Sequence, residues 1–483
     1  SAFMIDRIES LSFTLDDARY TLGASWGSAS IDLSQTPSVA FDAFTVPIQT
    51  QGQDAGKLSL DGALPLARPG DLLELHDPSA MRITYERGMI DSAPVRLLID
   101  RFASDRAKDW IVTNELQGRF DLDVTLTPES GVHRISSDAN AYSAPPVAVH
   151  GTLEPLSLQL TMNEQTADFA QVQGHVLFEG YTGRFEQIRA VGDESSIALD
   201  GSWALLPRQG LNMDLRVDAQ GDLLQGPVRA IIPEPVGRVI ESLQIDAEGG
   251  VVIDGMRVVT EGLGTSSGLY ELRGSARIEQ GSAVLGLPIT DLSGDLAFAV
   301  RGTQETLGYE LRLQASRLRA GLMRAYDANM QLIGDANNPG VVLIPEIIAG
   351  MHGGRIAGSA QIRPAGDGVP HYWMELHASG IRAAPVFDDL LLPEGGLEGP
   401  PLPGQDAVLS AWSKAEDLSR GSMLADLTLT GPIGEPSMRS GRGTVEIKGG
   451  SVLDRGEQPL AADRGEYRPG SGGFLCRWPD PGL

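Results

Sequence analysis

The chain has 483 residues and carries 64 acidic against 38 basic side chains, a formal net charge of −26. Such a charge repels phosphate, so it argues against nucleic acid as a partner and against tight docking on anionic headgroups. Aromatic residues make up only 6%, while Gly (58) and Pro (30) are plentiful, a turn-rich all-β composition well short of collagen-like or disordered values.

By length alone roughly three domains are expected, yet no linker divides the sequence into compact units. A single cysteine, Cys476, allows no internal disulfide. No segment approaches the ~20 apolar residues of a membrane helix. The best candidate, Val341 to Met351, is interrupted by Pro345 and Glu346. The first residues already read as sheet, and the chain is expected to be a piece of a longer protein.

The governing signal is a two-residue rhythm. Leu11, Phe13 and Leu15 begin it, and Phe120, Leu122, Val124 and Leu126 repeat it, as do Leu156, Leu158, Leu160 and Met162. In a strand successive side chains point to opposite faces, so this spacing lines one face with hydrocarbon and leaves the other wet. Strands are expected at Ala18–Leu33, Lys57–Leu64, Met81–Tyr85, Val95–Phe102, Leu116–Leu126, Val147–Met162, Val172–Phe178, Ser196–Ala204 and Leu211–Ala219. Further runs are Leu243–Ile253, Tyr270–Ile278, Leu292–Arg301, Tyr309–Leu318, Ala328–Ile333, Arg355–Ile362 and Trp373–Ala378. Short Gly-, Asp- and Pro-containing turns between them imply an antiparallel meander.

Helix signals are few: Pro233–Leu243, Gln405–Leu418, and a short one around Leu72–Leu75. The expected division is an elongated β-groove over 1–384, a Pro/Gly-rich loop over 385–404, strands with a leading helix over 405–453, and an unpatterned tail over 454–483. The fold class is therefore mostly β, a long, strongly twisted and curved antiparallel sheet with a few short helices.

Two uses of the apolar face compete. Packed β-sandwiches or a closed barrel would fill it with large side chains. Many positions on that face are instead small (Ala18, Ala24, Ala276, Ala360, Gly201, Gly274, Gly294, Gly358, Gly431). A solenoid needs a constant repeat, and none is found. The other reading is an elongated trough whose apolar side stays open as a binding surface. Some 25 strands stacked at ~4.8 Å would extend it on the order of 120 Å. Acyl chains suit such a surface, since each buried CH₂ gains ~0.8 kcal/mol. The lipid-facing residues expected from parity are Leu199, Trp203, Leu296, Phe298, Ile356, Ala360, Ile362, Leu427, Leu429, Val445 and Ile447.

Two stretches carry a family resemblance. Ile347 to Ile362 holds Gly353-Gly354-Arg355-Ile356, then Gly358, Ala360 and Ile362 at alternate positions. Leu424 to Ser437 runs a strand into the turn Gly434-Glu435-Pro436, followed by Ser440 to Leu453 with Gly441, Gly443, Val445, Ile447 and Gly449-Gly450. Both resemble elements of AsmA-like proteins, bacterial relatives of the bridge-like lipid transfer proteins. The segment Pro233–Leu243 leading into Gln244–Gly249 is similar to their helix-plus-strand joints. The resemblance implies a periplasmic protein anchored in the inner membrane through a segment outside this chain. It implies movement of phospholipid or another acyl lipid between envelope membranes, in the service of outer-membrane biogenesis.

No catalytic constellation is read. The seven histidines are scattered, and His371 and His377 lie about 20 Å apart along one extended strand, too far for one metal. His352 precedes Gly353-Gly354 and reads as a turn residue. Asp121 with Asp123, and Asp214 with Asp218, read as solvated faces. No nucleophile elbow, P-loop or zinc motif occurs, and Trp26, Trp203 and Trp412 read as packing or rim residues. No catalytic residue, metal or cofactor is therefore expected. The leading functional expectation is a non-enzymatic lipid-binding protein of the envelope. A scaffold that offers a sheet edge to outer-membrane or secreted proteins, and a β-sandwich surface adhesin, stand as alternatives.

Overall fold

The structure is a computed structural model. It describes residues 2–5, 9, 11–15, 18–32, 37–50, 52–66, 72–75, 80–92, 95, 115–134, 147–162, 165–192, 195–206, 210–222, 229, 237, 240, 244–247, 250–263, 268–284, 288–303, 306–321, 323–334, 338, 340–364, 369–386, 421–433, 440–448, 465–466 and 475–477. Antiparallel sheet accounts for nearly all of it, with almost no helix, as the alternation predicts. The chain divides into two compact units. Unit 1 holds Ser1–Gly221, Gln225–Ile231 and Arg257–Gly268; unit 2 holds Asp222–Leu224, Ile232–Met256 and Leu269–Leu483.

Unit 1 contains β1 (Ala2–Ile5), β2 (Leu11–Leu15), β3 (Ala18–Leu22), β4 (Trp26–Asp32), β5 (Ser38–Thr50), β6 (Gln53–Pro65), β7 (Leu72–Leu75) and β8 (Met81–Met89). It continues with β9 (Gln117–Pro128), β10 (Gly131–Arg134), β11 (Val147–Met162), β12 (Gln165–Phe169), β13 (Gln171–Glu179), β14 (Thr182–Val191), β15 (Ser196–Leu206) and β16 (Gly210–Gly221). β3 and β4 share one edge of β5. From β5 the meander passes through β6, β8, β9, β11, β13, β14, β15 and β16. β12 folds back on the end of β11.

Unit 2 opens with β17 (Asp246–Ala247); β18 (Val251–Leu263) follows, its residues from Arg257 onward belonging to unit 1. Then come β19 (Leu269–Val284), β20 (Pro288–Gly302), β21 (Leu307–Ala320), β22 (Met323–Gly334), β23 (Val342–Met351), β24 (Gly354–Arg363), β25 (His371–Arg382), β26 (Ser422–Pro432), β27 (Ser440–Lys448), β28 (Gly465–Glu466) and β29 (Leu475–Arg477). Each strand from β19 to β27 pairs with the next in antiparallel register. The β23–β24 hairpin turns on His352-Gly353, both with positive φ (45° and 85°), the geometry of a two-residue primed turn.

Three bulges in the ladders of unit 1 share one device. Ala43, Arg87 and Gln187 adopt positive φ at register shifts. Each bulged N–H is taken by an aspartate opposite it: Ala43 N donates to Asp61 (3.2 Å), Arg87 N to Asp121 (2.5 Å) and Gln187 N to Asp200 (2.7 Å). The carboxylate satisfies a donor that the ladder has lost, and the bulge coils the strand.

Several sequence expectations need correction. Leu72–Leu75, expected as a helix, is β7 and pairs with β10; four residues are too few to nucleate a helix, whereas a ladder partner satisfies them at once. Of Val95–Phe102, expected as a strand, only Val95 is among the described residues, and it is helical. The rest of that run lies outside the described residues. Strands β5 and β14 were not expected. Within the expected 454–483 tail, Leu475–Arg477 is a strand paired with Thr444–Glu446 of β27. Of helix 233–243 only Gly237 and Ile240 are described, and both are helical; Gln405–Leu418 lies outside the described residues. Of the 385–404 loop only Pro385 and Val386 are described, and both are helical. The apolar run ending at Met351 is β23, and no helix among the described residues is long and apolar enough to cross a membrane.

Buried clusters lie on the apolar face. In unit 1, Ile48, Ala55, Tyr85 and Phe120 form one, with Tyr85 and Phe120 edge-on at 5.8 Å and the Tyr85 hydroxyl donating to Ala55 O at 2.7 Å. Ala167, Phe169, Val172 and Ala190 form another. The largest cluster in unit 2 runs from Ala283 and Ile289 to Tyr372, Met374 and Ile433.

Candidate functional site

The strand registers assemble rows of side chains that cross each sheet. In unit 2 one apolar-face row passes without a break through Ala276, Leu296, Leu313, Met330, Ile347, Gly358, Leu376, Leu427 and Gly443. Eight inter-strand steps at ~4.8 Å make it roughly 38 Å long. In unit 1 the row Val124, Gly151, Phe178, Gly183, Trp203 and Met213 does the same across six strands.

Glycines recur in these rows, and the neighbouring side chain leans over them. A Cβ placed on Gly151 would meet Phe178 Cζ at 2.6 Å, and one on Gly183 would meet the Trp203 indole at 2.5 Å. Phe298 covers Gly274 in the same way, Leu376 covers Gly358 and Leu427 covers Gly443. In each case the two residues are direct cross-strand partners. A side chain lying along the sheet covers backbone that glycine would leave bare, and it stands lower than an upright one. The middle of the apolar face is therefore a shallow, hydrocarbon-lined floor.

Exposure along that face is graded. In unit 1 Val172, Ala190 and Ala219 are buried, Phe178, Phe185, Leu199, Trp203, Met213 and Leu215 are half-buried, and Leu205 at the hairpin end is 42% exposed. In unit 2 the strand ends are closed by residues such as Ile344, Ile362 and Tyr372 on one side and Ile289, Leu292 and Leu318 on the other. Between them Leu296, Phe298, Leu311, Ile347, Ile356, Leu376, Leu427, Leu429 and Val445 stay half-buried.

Each residue picked from parity lies on the apolar side of its strand by register, Ile447 included, although the Ile447 side chain is outside the described residues. Ala360 and Ile362 are core (6% and 3% exposed) and have little surface to offer a ligand. The sequence reading passed over Phe178, Phe185, Ile347 and Leu376. The signal for them was present, since Phe178 and Leu376 share parity with their neighbours, but only register shows which residues adjoin across strands.

Among the described residues, the polar face of each unit carries an open trough. One, of about 1180 Å³ in unit 1, includes Arg82, Asp123, His150, Glu179, Arg184 and Asp214. The other, of about 780 Å³ in unit 2, includes Ser359, Glu375, His377, Asp426, Thr428 and Arg442. Each is the furrow between two rows of outward side chains. Arg82 grips Asp123 through two hydrogen bonds (2.9 and 2.5 Å), and Arg257 grips Asp214 likewise (2.8 and 2.7 Å). The guanidinium hydrogen bond holds each carboxyl below the usual carboxylate range. His377 Nδ1 and Asp426 Oδ1 are 2.5 Å apart, and both side chains are largely exposed. These pairs bridge strands up to 49 residues apart in sequence, so spacing could not announce them. Asp121 caps a bulge, which accounts for one member of the Asp121/Asp123 pair, while Asp123 is tied to Arg82. Among the described residues no three His, Cys, Asp or Glu side chains group as metal ligands.

What the fold and face define is a class: antiparallel sheets with one polar side and one shallow apolar side. The sequence matches no protein-family model, no curated protein and no solved structure.

Proposed function

We propose that this chain is a non-enzymatic lipid-binding protein whose apolar sheet face holds acyl chains. The observation that carries the reading is the unbroken apolar row from Leu296 to Leu427, buried at Leu313 and Met330 and half-buried at Leu296, Ile347, Leu376 and Leu427, with Leu376 and Leu427 lying over Gly358 and Gly443. A ligand there needs hydrocarbon length and no directional bonding. Burial of each CH₂ against the row gains ~0.8 kcal/mol, so affinity grows with chain length rather than with any one contact. The carriers are Leu199 and Trp203 in unit 1, and Leu296, Phe298, Ile356, Leu427, Leu429, Val445 and Ile447 in unit 2. Polar headgroups remain in water.

The resemblance to AsmA-like proteins gives this activity its setting, transfer or storage of phospholipid in the bacterial periplasm. Photocrosslinking from Leu296 and Ile356 tests the reading in cells. Lipid adducts support it; polypeptide adducts at both positions support the scaffold alternative instead.

A further inference from the structure

The apolar floor of unit 1 contains a hydrogen-bond donor that the fold leaves unanswered. In the row Val124, Gly151, Phe178, Gly183, Trp203 and Met213, the Trp203 indole is the only side chain with an N–H or O–H to donate. Its Nε1 is buried and has no hydrogen-bond partner. Buried indole N–H groups are ordinarily paired, because an unpaired donor has given up water for nothing. The Tyr85 hydroxyl in the same unit follows that rule by donating to Ala55 O.

The posture of the ring is the cause. Cε2, the carbon bonded to Nε1, and Cζ2 both lie 2.5 Å from where a Gly183 Cβ would stand, so the N–H edge of the ring is pressed against the neighbouring strand. Trp203 as a whole is only half-buried, and its outward side is open. Trp203 also stands where the floor meets water. Leu205, the next residue on the same face, lies about 7 Å further along β15 and is 42% exposed. The Leu205 N–H donates to Tyr181 O at 2.7 Å, and Tyr181 in that turn is 64% exposed.

We propose that Trp203 recognises the ester carbonyl of an acyl lipid. As the acyl chain settles on the floor, the indole rises off Gly183 and donates its Nε1–H to the carbonyl oxygen. The chain then lies inward over Phe178 and Gly183, and the headgroup passes the exposed Leu205 end into water. An amphiphile has this order of parts: hydrocarbon, then carbonyl, then polar head. The proposal rests on the lipid-binding reading and narrows its ligand to acyl esters. An ether-linked lipid buries the same hydrocarbon but brings no carbonyl to the waiting donor.

The test is titration of the full chain with two short-chain phosphatidylcholines kept below their micelle concentrations, one ester-linked and one ether-linked. The methyl resonance of Met213, the cross-strand partner of Trp203, reports binding at this site in parent and variant alike. The parent chain binds the ester form about fivefold more tightly, the worth of one neutral hydrogen bond. Trp203→Phe keeps an aromatic ring, loses the N–H and binds both forms with the weaker affinity. In the parent the Trp203 indole N–H resonance moves downfield with the ester form and not with the ether form. Trp373→Phe, in unit 2, keeps the preference. Equal affinity of the parent for the two forms, or a preference that survives Trp203→Phe, overturns the carbonyl contact and leaves the lipid-binding reading standing. If neither form binds and an organic extract of the purified chain holds no lipid, the lipid-binding reading falls and takes this contact with it. If neither form binds but the extract does hold lipid, the contact alone falls.

Discussion

Trp203 lies across Gly183, its partner on the neighbouring strand, so closely that a methyl group on Gly183 would sit 2.5 Å from the indole. Gly183→Ala therefore forces the indole up from the sheet or the strands apart. Overpacking of this kind costs about 1–3 kcal/mol. The expected result is a lowered midpoint in chemical denaturation together with a shifted tryptophan emission. With Trp203→Ala in the background the same glycine change loses only the indole's share of its cost, since the Leu177 carbonyl still stands 2.6 Å from the new methyl; fully additive effects in that double-mutant cycle would contradict the Trp203 contact.

The aspartate-capped bulges make a second prediction. Asp200 accepts from the Gln187 N–H where the β14–β15 ladder breaks. Asp200→Ala removes that acceptor at an exposed site and costs about 1 kcal/mol. Amide exchange at Gln187 speeds up while amides of the buried Val172 end hold their protection. Asp61→Ala and Asp121→Ala repeat the effect at Ala43 and Arg87.

Acid should loosen the two bidentate pairs of unit 1. Asp123 and Asp214 titrate below the ordinary carboxylate range, each chiefly because of its arginine hydrogen bond. A depressed folded-state pKa contributes stability that is present above the ordinary carboxylate value and lost as pH falls through the folded one. Both pairs are exposed, so solvent screens them and their share of the stability is small. NMR titration should find Asp123 returning to the ordinary range in Arg82→Gln and Asp214 in Arg257→Gln. An unchanged Asp123 midpoint in Arg82→Gln would contradict the pairing.

Alkali acts through burial. Tyr85 and Tyr309 are pushed up to about 12 from 10.0, mainly by desolvation. The unfolded chain ionises first, so stability declines as pH rises between these two values. Tyr85→Phe also strips the buried Ala55 carbonyl of its donor, a loss of about 1–3 kcal/mol. Absorbance titration near 295 nm reads the delayed phenols, and ionisation of all tyrosines near pH 10 in the folded chain would contradict their burial.

A charge on the apolar floor should matter more than a lost side chain. Phe298→Asp and Ile356→Asp place a carboxylate where a chain of methylenes would lie, and a charge without a partner is poorly tolerated there. Vesicle-to-vesicle lipid transfer is expected to fall about tenfold in each, whereas Phe298→Ala, which leaves the row apolar, loses little. Thr428→Asp on the polar face serves as the control. Transfer unchanged by both floor substitutions would remove the apolar row as the route.

Much of the fold was legible because parity is a strong signal. The strand at Val147–Met162 is met at both ends, and the face of each chosen apolar residue follows from counting by two. The signal failed where a bulge resets the count. In β5, Phe41 and Phe44 pair with successive in-face neighbours but lie three apart, around Ala43; in β14 Phe185 and Ile188 do the same around Gln187. Pro47 inside β5 hid it further. Exposure was not legible either. Ile362 and Phe298 have the same parity logic, yet one is sealed by Val342 and Tyr372 at a strand end and the other lies mid-face over Gly274. Register over distant strands decides that, and no local pattern encodes it.

The most direct measurement is mass spectrometry of an organic extract of the purified chain, with the Phe298→Asp, Ile356→Asp double variant processed alongside. The account predicts co-purifying acyl lipid in near-stoichiometric amount from the parent chain and its depletion from a double variant that remains folded. A lipid-free extract from the folded parent chain, even after incubation with phospholipid vesicles, would contradict it.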